Sequence, residues 1–486
     1  MTAVPTVHRP PAGTSPATGG GTRAWTVTAL LVVFMMVNFA DKSVLGLAAD
    51  EIRSDLHLSA TQFGLANSAF FLLFSVAAVA VGLAADRLST KTLILVMAVL
   101  WSVAQVPAAF GGGLAVLVVS RVLLGAAEGP AFPVAQKATL AWFPDERRNL
   151  PGALVTLGVT LGVIVSAPGL SWMIQHHGWR AALWTLAAAG LVWAAAWAAF
   201  GADGGHGVGS EAGAKAGPTA GTEAGPTAGT EAGPSAGTRA GPTAGPGVAT
   251  DAGPDAQAPR SPETRTDAPY RKIFASPTWI GVTLAYFTSY WSVALMLVWL
   301  PSYLRNALGY PTDLAGTVVV APWLVGALTL LAQAGITGRL MRRGAGSRRA
   351  RGWVGGGLLA LGAACCLALP LVDGRTAATV LVALGFGLGG SYATIAATTV
   401  AELAPPSRAG GALGTMNAVV TAAGLAAPAV VGALVDARGT DGYQTAVVLS
   451  GLLLALGAAA SFLLVDPQRD IARLDGRPPA PTVRPT

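Results

Sequence analysis

Long apolar runs broken by short polar punctuation dominate this chain. Runs close to 20 residues recur from Trp25 to Val465, the length an α-helix needs to cross about 30 Å of hydrocarbon. Their spacing predicts twelve spans. Six lie near 25–48, 61–85, 92–110, 114–140, 151–175 and 180–200, and six near 277–304, 314–338, 352–372, 376–401, 410–436 and 443–465. The short alternating strands of an outer-membrane barrel are not seen. The expected fold class is an all-α membrane protein with twelve transmembrane helices in two six-helix bundles, 25–200 and 277–465.

Between the bundles the pattern changes. Residues 201–276 carry an eight-residue repeat, "AGPTAGTE", "AGPTAGTE", "AGPSAGTR", "AGPTAGPG" (216–247). Such Gly/Pro/Ala/Thr tracts bury too little apolar surface to offset ordering entropy, so a disordered cytoplasmic linker is expected. Residues 1–24 and 466–486 are expected to be disordered tails. The halves echo each other: "ERRNLPGALVTLGVTLGVIVSAPGL" (146–170) aligns without a gap to "PSRAGGALGTMNAVVTAAGLAAPAV" (406–430), with Arg148 on Arg408 and Pro168 on Pro428. Two related six-span halves around a long central loop make the transporter pattern, in which substrate binds near the midplane between rocking bundles.

Composition agrees with this reading. Only 11% of residues are charged and 52% are hydrophobic, against about 25% charged in a soluble domain. The net charge of +7 does not imply nucleic acid, because the basic residues fall in short loops between spans. With an even span number both termini share a side. Placing them in the cytoplasm puts 24 Lys/Arg inside and only Arg53, Arg180, Arg305, Arg375 and Arg438 outside, as the positive-inside rule requires. A multi-pass inner or plasma membrane location follows, with the lipid bilayer as partner and a monomer expected. Cys365 and Cys366 are adjacent within a span, which argues against a disulfide framework. No cleavable signal peptide is evident.

Charges inside the spans are the candidate chemistry. "NFADKSVL" (38–45) puts Asp41 and Lys42 in span 1, and span 4 carries Arg121 and Glu128. Each costs roughly 2.5–3.5 kcal/mol at a helix centre on insertion scales. Helix neighbours point about 100° apart, so Asp41 and Lys42 address different surroundings, whereas Arg121 and Glu128 share a face with a rise of about 10.5 Å. Two acids and two bases sum to zero, as a shared dry cavity favours. They form either a structural ion-pair set clamping two spans, or a proton-and-anion site. In the second case Asp41 and Glu128 carry protons, while Lys42 and Arg121 hold an anionic substrate. Burial favours the protonated acid and a neighbouring cation opposes it, so an acid balanced between the two titrates near neutral pH. No nucleotide-binding Gly-rich loop, zinc-spaced Cys/His cluster or catalytic constellation is found. The expectation is no enzyme, no metal and no cofactor, with a proton gradient as the driving force.

"GLAADRLSTK" (82–91) follows span 2. Gly82 permits close backbone approach, Asp86 can meet a helix N-terminus, and Arg87 and Lys91 sit on the positive side. A conformational latch is expected there. This stretch resembles the helix 2–3 loop signature of the major facilitator superfamily, with Ser89 replacing a glycine. "RVLLGAAEGPAFPVAQKATLAWFPDERR" (121–148) resembles the helix 4 signature of the anion:cation symporter family within it, at Arg121, Gly125, Glu128, Pro130, Phe132, Pro133, Trp142, Phe143, Pro144 and Glu146. "NFADKSVL", "GWR" (178–180), "WLPSYL" (299–304), Asn417 and Pro428 fit the same family.

The resemblance implies proton-carrying carboxylates at Asp41 and Glu128 and cations near the substrate at Lys42 and Arg121. Phe74, Gln136, Tyr290, Trp291, Tyr392 and Asn417 are possible cavity-lining residues. Where the family usually has Arg, Lys42 offers a compact point charge instead of a bidentate fork. Sugar-acid carriers of the family tend to have Tyr, Gln and Gln where this chain has Phe74, Ala78 and Val159. Losing those polar groups leaves sugar hydroxyls unpaired, at about 1–3 kcal/mol each. The expected function is proton-coupled uptake of a small organic anion, a carboxylate less hydroxylated than a sugar acid and with an aromatic body as one candidate, by alternating access. The alternatives are a proton-driven drug or metabolite exporter of the same fold, and a non-transporting sensor on this scaffold.

Overall fold

A computed structural model describes residues 21–84, 88–143, 147, 149–204, 268–405 and 407–475. Among these residues every regular element is helical. The spans are α1 (Thr22–Leu47), α2 (Ala60–Ala84), α3 (Thr90–Phe110), α4 (Gly113–Leu140), α5 (149–177), α6 (179–200), α7 (Pro277–Val298), α8 (Thr312–Arg342), α9 (Arg348–Leu371), α10 (Arg375–Leu403), α11 (Ala409–Arg438) and α12 (Thr440–Leu464). The fifth and sixth crossings run on as Asn149–Phe200 with one break, Gly178 at φ 81° and ψ 162°. That backbone is open to glycine and strained for any other residue. The 52 residues span about 78 Å of helix, enough for two crossings. Large apolar side chains such as Leu72, Val76, Val192, Leu328, Leu331 and Leu463 stay exposed along the spans, as a lipid-facing surface requires.

Two segments expected to lack structure begin or end in helices. The linker's last residues form a short helix, Tyr270–Phe274, with Ile273 fully buried. The C-terminal tail starts with Pro467–Leu474, where Asp466 accepts a hydrogen bond from the Arg469 amide at 3.1 Å and Pro467 takes the first turn. Capping residue and proline together start the helix. Asp470 then accepts from the Thr278 amide at 2.8 Å and from the Arg469 guanidinium, anchoring the tail to the start of α7. Residues 1–20, 205–267 and 476–486, which include the octapeptide repeats, lie outside the described residues.

The first six spans and the last six meet mainly through α2 against α11 and α5 against α8, with α1 against α7 a smaller contact. A Cβ on Gly64 would stand 2.2 Å from the Pro428 carbonyl oxygen, and one on Gly432 would stand 2.3 Å from that of Ala60. Only glycine allows this backbone contact. At the end of the molecule that carries the α1–α2 and α7–α8 connections, polar groups seal the seam. The Asp436 carboxylate accepts from the Ala60 and Thr61 amides at 2.8 and 2.7 Å, meeting the positive end of α2. Arg305 pairs with Asp50 at 3.0 Å and Glu51 at 2.6 Å, and Ser302 and Asn306 donate to Asp50.

Deeper in, Ser75 and Thr421 are hydrogen-bonded across the same seam. One and two turns further along that face of α11, Asn417 is exposed and Gly414 faces open space. Among the described residues the halves are therefore closed at the connection-bearing end, and this face of α11 is uncovered at Asn417 and Gly414 toward the end that carries the chain termini.

Arg305 is the hub of the seal, with a side chain only 8% exposed. Arg305→Gln strands two carboxylates and should raise the population open at that end by about tenfold. Electron-spin distances between labels at Ser54 and Thr440 will show a longer component; an unchanged distribution would refute this role.

Candidate functional site

Close helix contact builds the site. A Cβ on Gly125 would fall 1.8 Å from the Phe70 carbonyl oxygen, and one on Gly129 would fall 2.1 Å from that of Phe74. These two glycines lay α4 directly on α2. They bring Arg121 and Glu128 beside Phe70 and Phe74, next to the last turns of α1. The helical offset between Asp41 and Lys42 then sends them to different partners.

The Lys42 ammonium lies 2.9 Å from Glu128 Oε2 and donates to Asn38 Oδ1. It also stands 4.6 Å from the centre of the Phe39 ring and 5.7 Å from those of Phe70 and Phe74. The rings offer their negative faces to the cation without satisfying its hydrogen bonds. Asp41 is fully buried and accepts from Gln105 Nε2 at 3.3 Å. It also feels the charges of Glu128, Arg121 and Lys42. Arg121 is 2% exposed and interacts electrostatically with both Glu128 and Asp41. The structure thus gathers all four membrane-embedded charges into one cluster.

The cluster is not internally satisfied. Asp41 Oδ2, Glu128 Oε1, and Arg121 Nε and Nη2 are buried with no hydrogen-bond partner among the described residues. Such groups carry a desolvation cost until something pairs with them. Lys42 and Arg121 also line a partly open cavity with about 530 Å³ of unfilled space, part of it continuous with open solvent. Its other walls include Asn67, Phe70 and Phe71 from α2, and Tyr290 and Val293 from α7. Chemically, this is an apolar chamber with two cations on one wall and two carboxylates behind them.

The other expected cavity residues divide. Tyr290 is on the wall, and Phe74 stands beside Lys42. Asn417 is on the uncovered face of α11, away from the chamber lining. Gln136 instead bridges α4 to α5, donating to the Gly152 carbonyl at 2.9 Å and Thr156 Oγ1 at 3.0 Å. Trp291 turns away, its Nε1 donating to Ser450 Oγ at 3.2 Å and its ring packed near Ala423 and Ala427. Tyr392 is 1% exposed, hydrogen-bonded to Ser461 Oγ at 2.7 Å and pressed on Gly355. These last two aromatics are core residues of the second half because their polar atoms find partners on neighbouring helices. Val159 likewise packs against the core of the first half.

Asn38, Gln105 and Asn67 were missed as site residues. The signal was present: each is an isolated amide in an apolar run, and Gln105 stands two residues before Pro107, where α3 breaks.

Of the expected latch, Asp86 and Arg87 lie outside the described residues, and Gly82 falls in the last turn of α2. The Lys91 amide donates to Asp203 Oδ1 at 2.8 Å, and its carbonyl accepts from Trp197 Nε1 at 2.9 Å. Both contacts tie the start of α3 to the end of α6 within one half. Burial pushes the Asp203 carboxyl up, but hydrogen bonds from Ser89, Thr90 and the Lys91 amide outweigh it and hold the group below the usual carboxylate range.

Comparison with known proteins follows the same lines. The sequence is 26% identical over 453 residues to the probable sulfoacetate transporter SauU of Cupriavidus necator, covering 90% of this chain and 93% of that one. It is 25% identical over 455 residues to the hexuronate transporter of Bacillus subtilis, covering 90% and 94%. Among solved structures, a bacterial homolog of the human lysosomal transporter Spinster superposes with a TM-score of 0.70 at 15% identity, covering 94% of this chain and 99% of that one. The profile of the Major Facilitator Superfamily matches residues 31–420, and with the twelve-span fold this places the chain in that superfamily of membrane transporters.

Proposed function

We propose that this transporter takes up a small organic anion together with protons by alternating access, with both termini in the cytoplasm. The observation that carries the reading is the cluster itself: two carboxylates and two cations, buried and incompletely paired, opening onto an apolar chamber. The relatives named for sulfoacetate and hexuronate transport support an anionic substrate, and the positive-inside rule supports the orientation.

Charge balance supplies the coupling. Empty, the cluster sums to zero. A monoanion held by Arg121 and Lys42 adds one negative charge, and one proton on Asp41 or Glu128 cancels it. The loaded cavity then closes without burying an uncompensated ion. Rocking carries it to the other side, where higher pH removes the proton and the cations re-pair with the acids. A substrate bearing one anionic group and few hydroxyls suits the walls, because Phe70, Phe71 and Val293 leave hydroxyl groups unpaired.

With one proton per monoanion, one pH unit drives about a tenfold accumulation in proteoliposomes. Asp41→Asn and Glu128→Gln should reduce accumulation to the outside concentration while sparing exchange of labelled for unlabelled substrate. Full accumulation in both variants would remove these residues from the coupling. Arg121→Gln leaves two carboxylates facing one ammonium and should raise the KM by about tenfold or more; an unchanged KM would separate Arg121 from the substrate. Orientation has its own check: green fluorescent protein fused after Thr486 should fluoresce in cells and alkaline phosphatase there should be inactive, whereas the reverse pattern would place the termini outside.

A further inference from the structure

Asn67 is nine-tenths buried on the chamber wall, where it is the one uncharged amide. Its Nδ2 donates one of its two N–H groups to the Phe63 carbonyl at 3.0 Å, which fixes the amide, and Oδ1, which accepts no hydrogen bond among the described residues, is the acceptor it offers the chamber. Tyr290 imposes no such polarity, because a phenolic hydroxyl can rotate to donate or accept. On α2 the positions Asn67, Phe70, Phe71 and Phe74 follow at helical spacing along one face. The Lys42 ammonium is equidistant, 5.7 Å, from the Phe70 and Phe74 rings, so it sits level with the turn between them. Asn67 is then about 7.5 Å further along the axis. That distance matches a benzene ring with substituents at opposite ends. Phe70 and Phe71 occupy the intervening turn, and Phe71 meets Tyr290 edge to face at 6.1 Å, the geometry in which aromatic groups pack favourably.

We propose that Asn67 is a specificity-determining residue: its Oδ1 selects anions built on an aromatic ring that carry one hydrogen-bond donor opposite the anionic group. The selection rests on the anion-transport reading above and narrows it. An acceptor rejects a partner lacking the donor because its own lone pairs are left unpaired in a desolvated wall.

The test is binding of benzoate, 4-hydroxybenzoate, 4-methoxybenzoate and D-galacturonate to the purified full chain in detergent, measured by calorimetry on the native protein and on Asn67→Leu. The native protein should bind 4-hydroxybenzoate about tenfold more tightly than benzoate. 4-Methoxybenzoate, which keeps the oxygen but lacks the O–H, should gain nothing over benzoate. Asn67→Leu should erase the preference while retaining benzoate binding, which also reports that the variant is folded. A native protein with no preference for the hydroxyl, an equal gain from the methoxy compound, or a preference that survives in Asn67→Leu overturns the assignment. Binding of D-galacturonate alone overturns it and leaves the anion reading intact; binding of no anion at all overturns both.

Discussion

The ion pair between Lys42 and Glu128 is the constraint on which the rest depends. Its oxygen and nitrogen lie 2.9 Å apart with side chains 0% and 10% exposed, inside a span where either charge alone is costly. A pair so buried is poor evidence of stability, since apolar residues of similar size would serve as well or better. Its surroundings point to use. Asp41 and Arg121 belong to the same cluster and keep unfilled hydrogen-bonding atoms, and aromatic rings surround the ammonium in place of a second carboxylate. The site is electrically balanced when empty and becomes unbalanced when an anion enters. In the proposed cycle, that imbalance links substrate to proton.

The scaffold gives the imbalance a mechanical consequence. The halves are closed by glycine-mediated backbone contact between α2 and α11 and by the Arg305 and Asp436 contacts at the connection-bearing end. Beyond Thr421 the α11 face is uncovered at Asn417 and Gly414. The chamber lies at this seam, with α2 on one wall and α7 on the other. Any change in its charge alters the cost of drawing the two walls together or apart. The distal seal centres on the largely buried Arg305 side chain, but its partners Asp50 and Glu51 are part-exposed and Asp436 is exposed, and such water-accessible carboxylates hold the closed state only modestly. A stronger apolar seal would trap the carrier in one state.

Much of this was legible in the sequence. Twelve crossings follow from run length, and the break at Gly178 from a glycine between two apolar runs. The four charges stand out because they interrupt those runs. What the sequence did not disclose is which way a polar or aromatic face turns once twelve helices pack. Trp291 and Tyr290 are neighbours on α7, yet one finds Ser450 behind it and the other faces the chamber. Tyr392 and Gln136 likewise serve contacts within a half. Periodicity assigns a face, and tertiary contacts decide what that face meets. Asn67 and Gln105 were legible as isolated amides but carry no charge to announce a function. The helix Pro467–Leu474 was passed over because a charged eight-residue segment gains its order from Asp470 docking on Thr278, which local pattern does not show.

The most direct test of charge-balanced coupling is proton movement itself. Proteoliposomes carrying a pH-sensitive dye inside, with equal pH on both sides, should acidify when substrate is added outside, with about one proton entering per monoanion. Substrate entry at the same rate with no acidification, and with negative charge building up inside instead, would contradict the account.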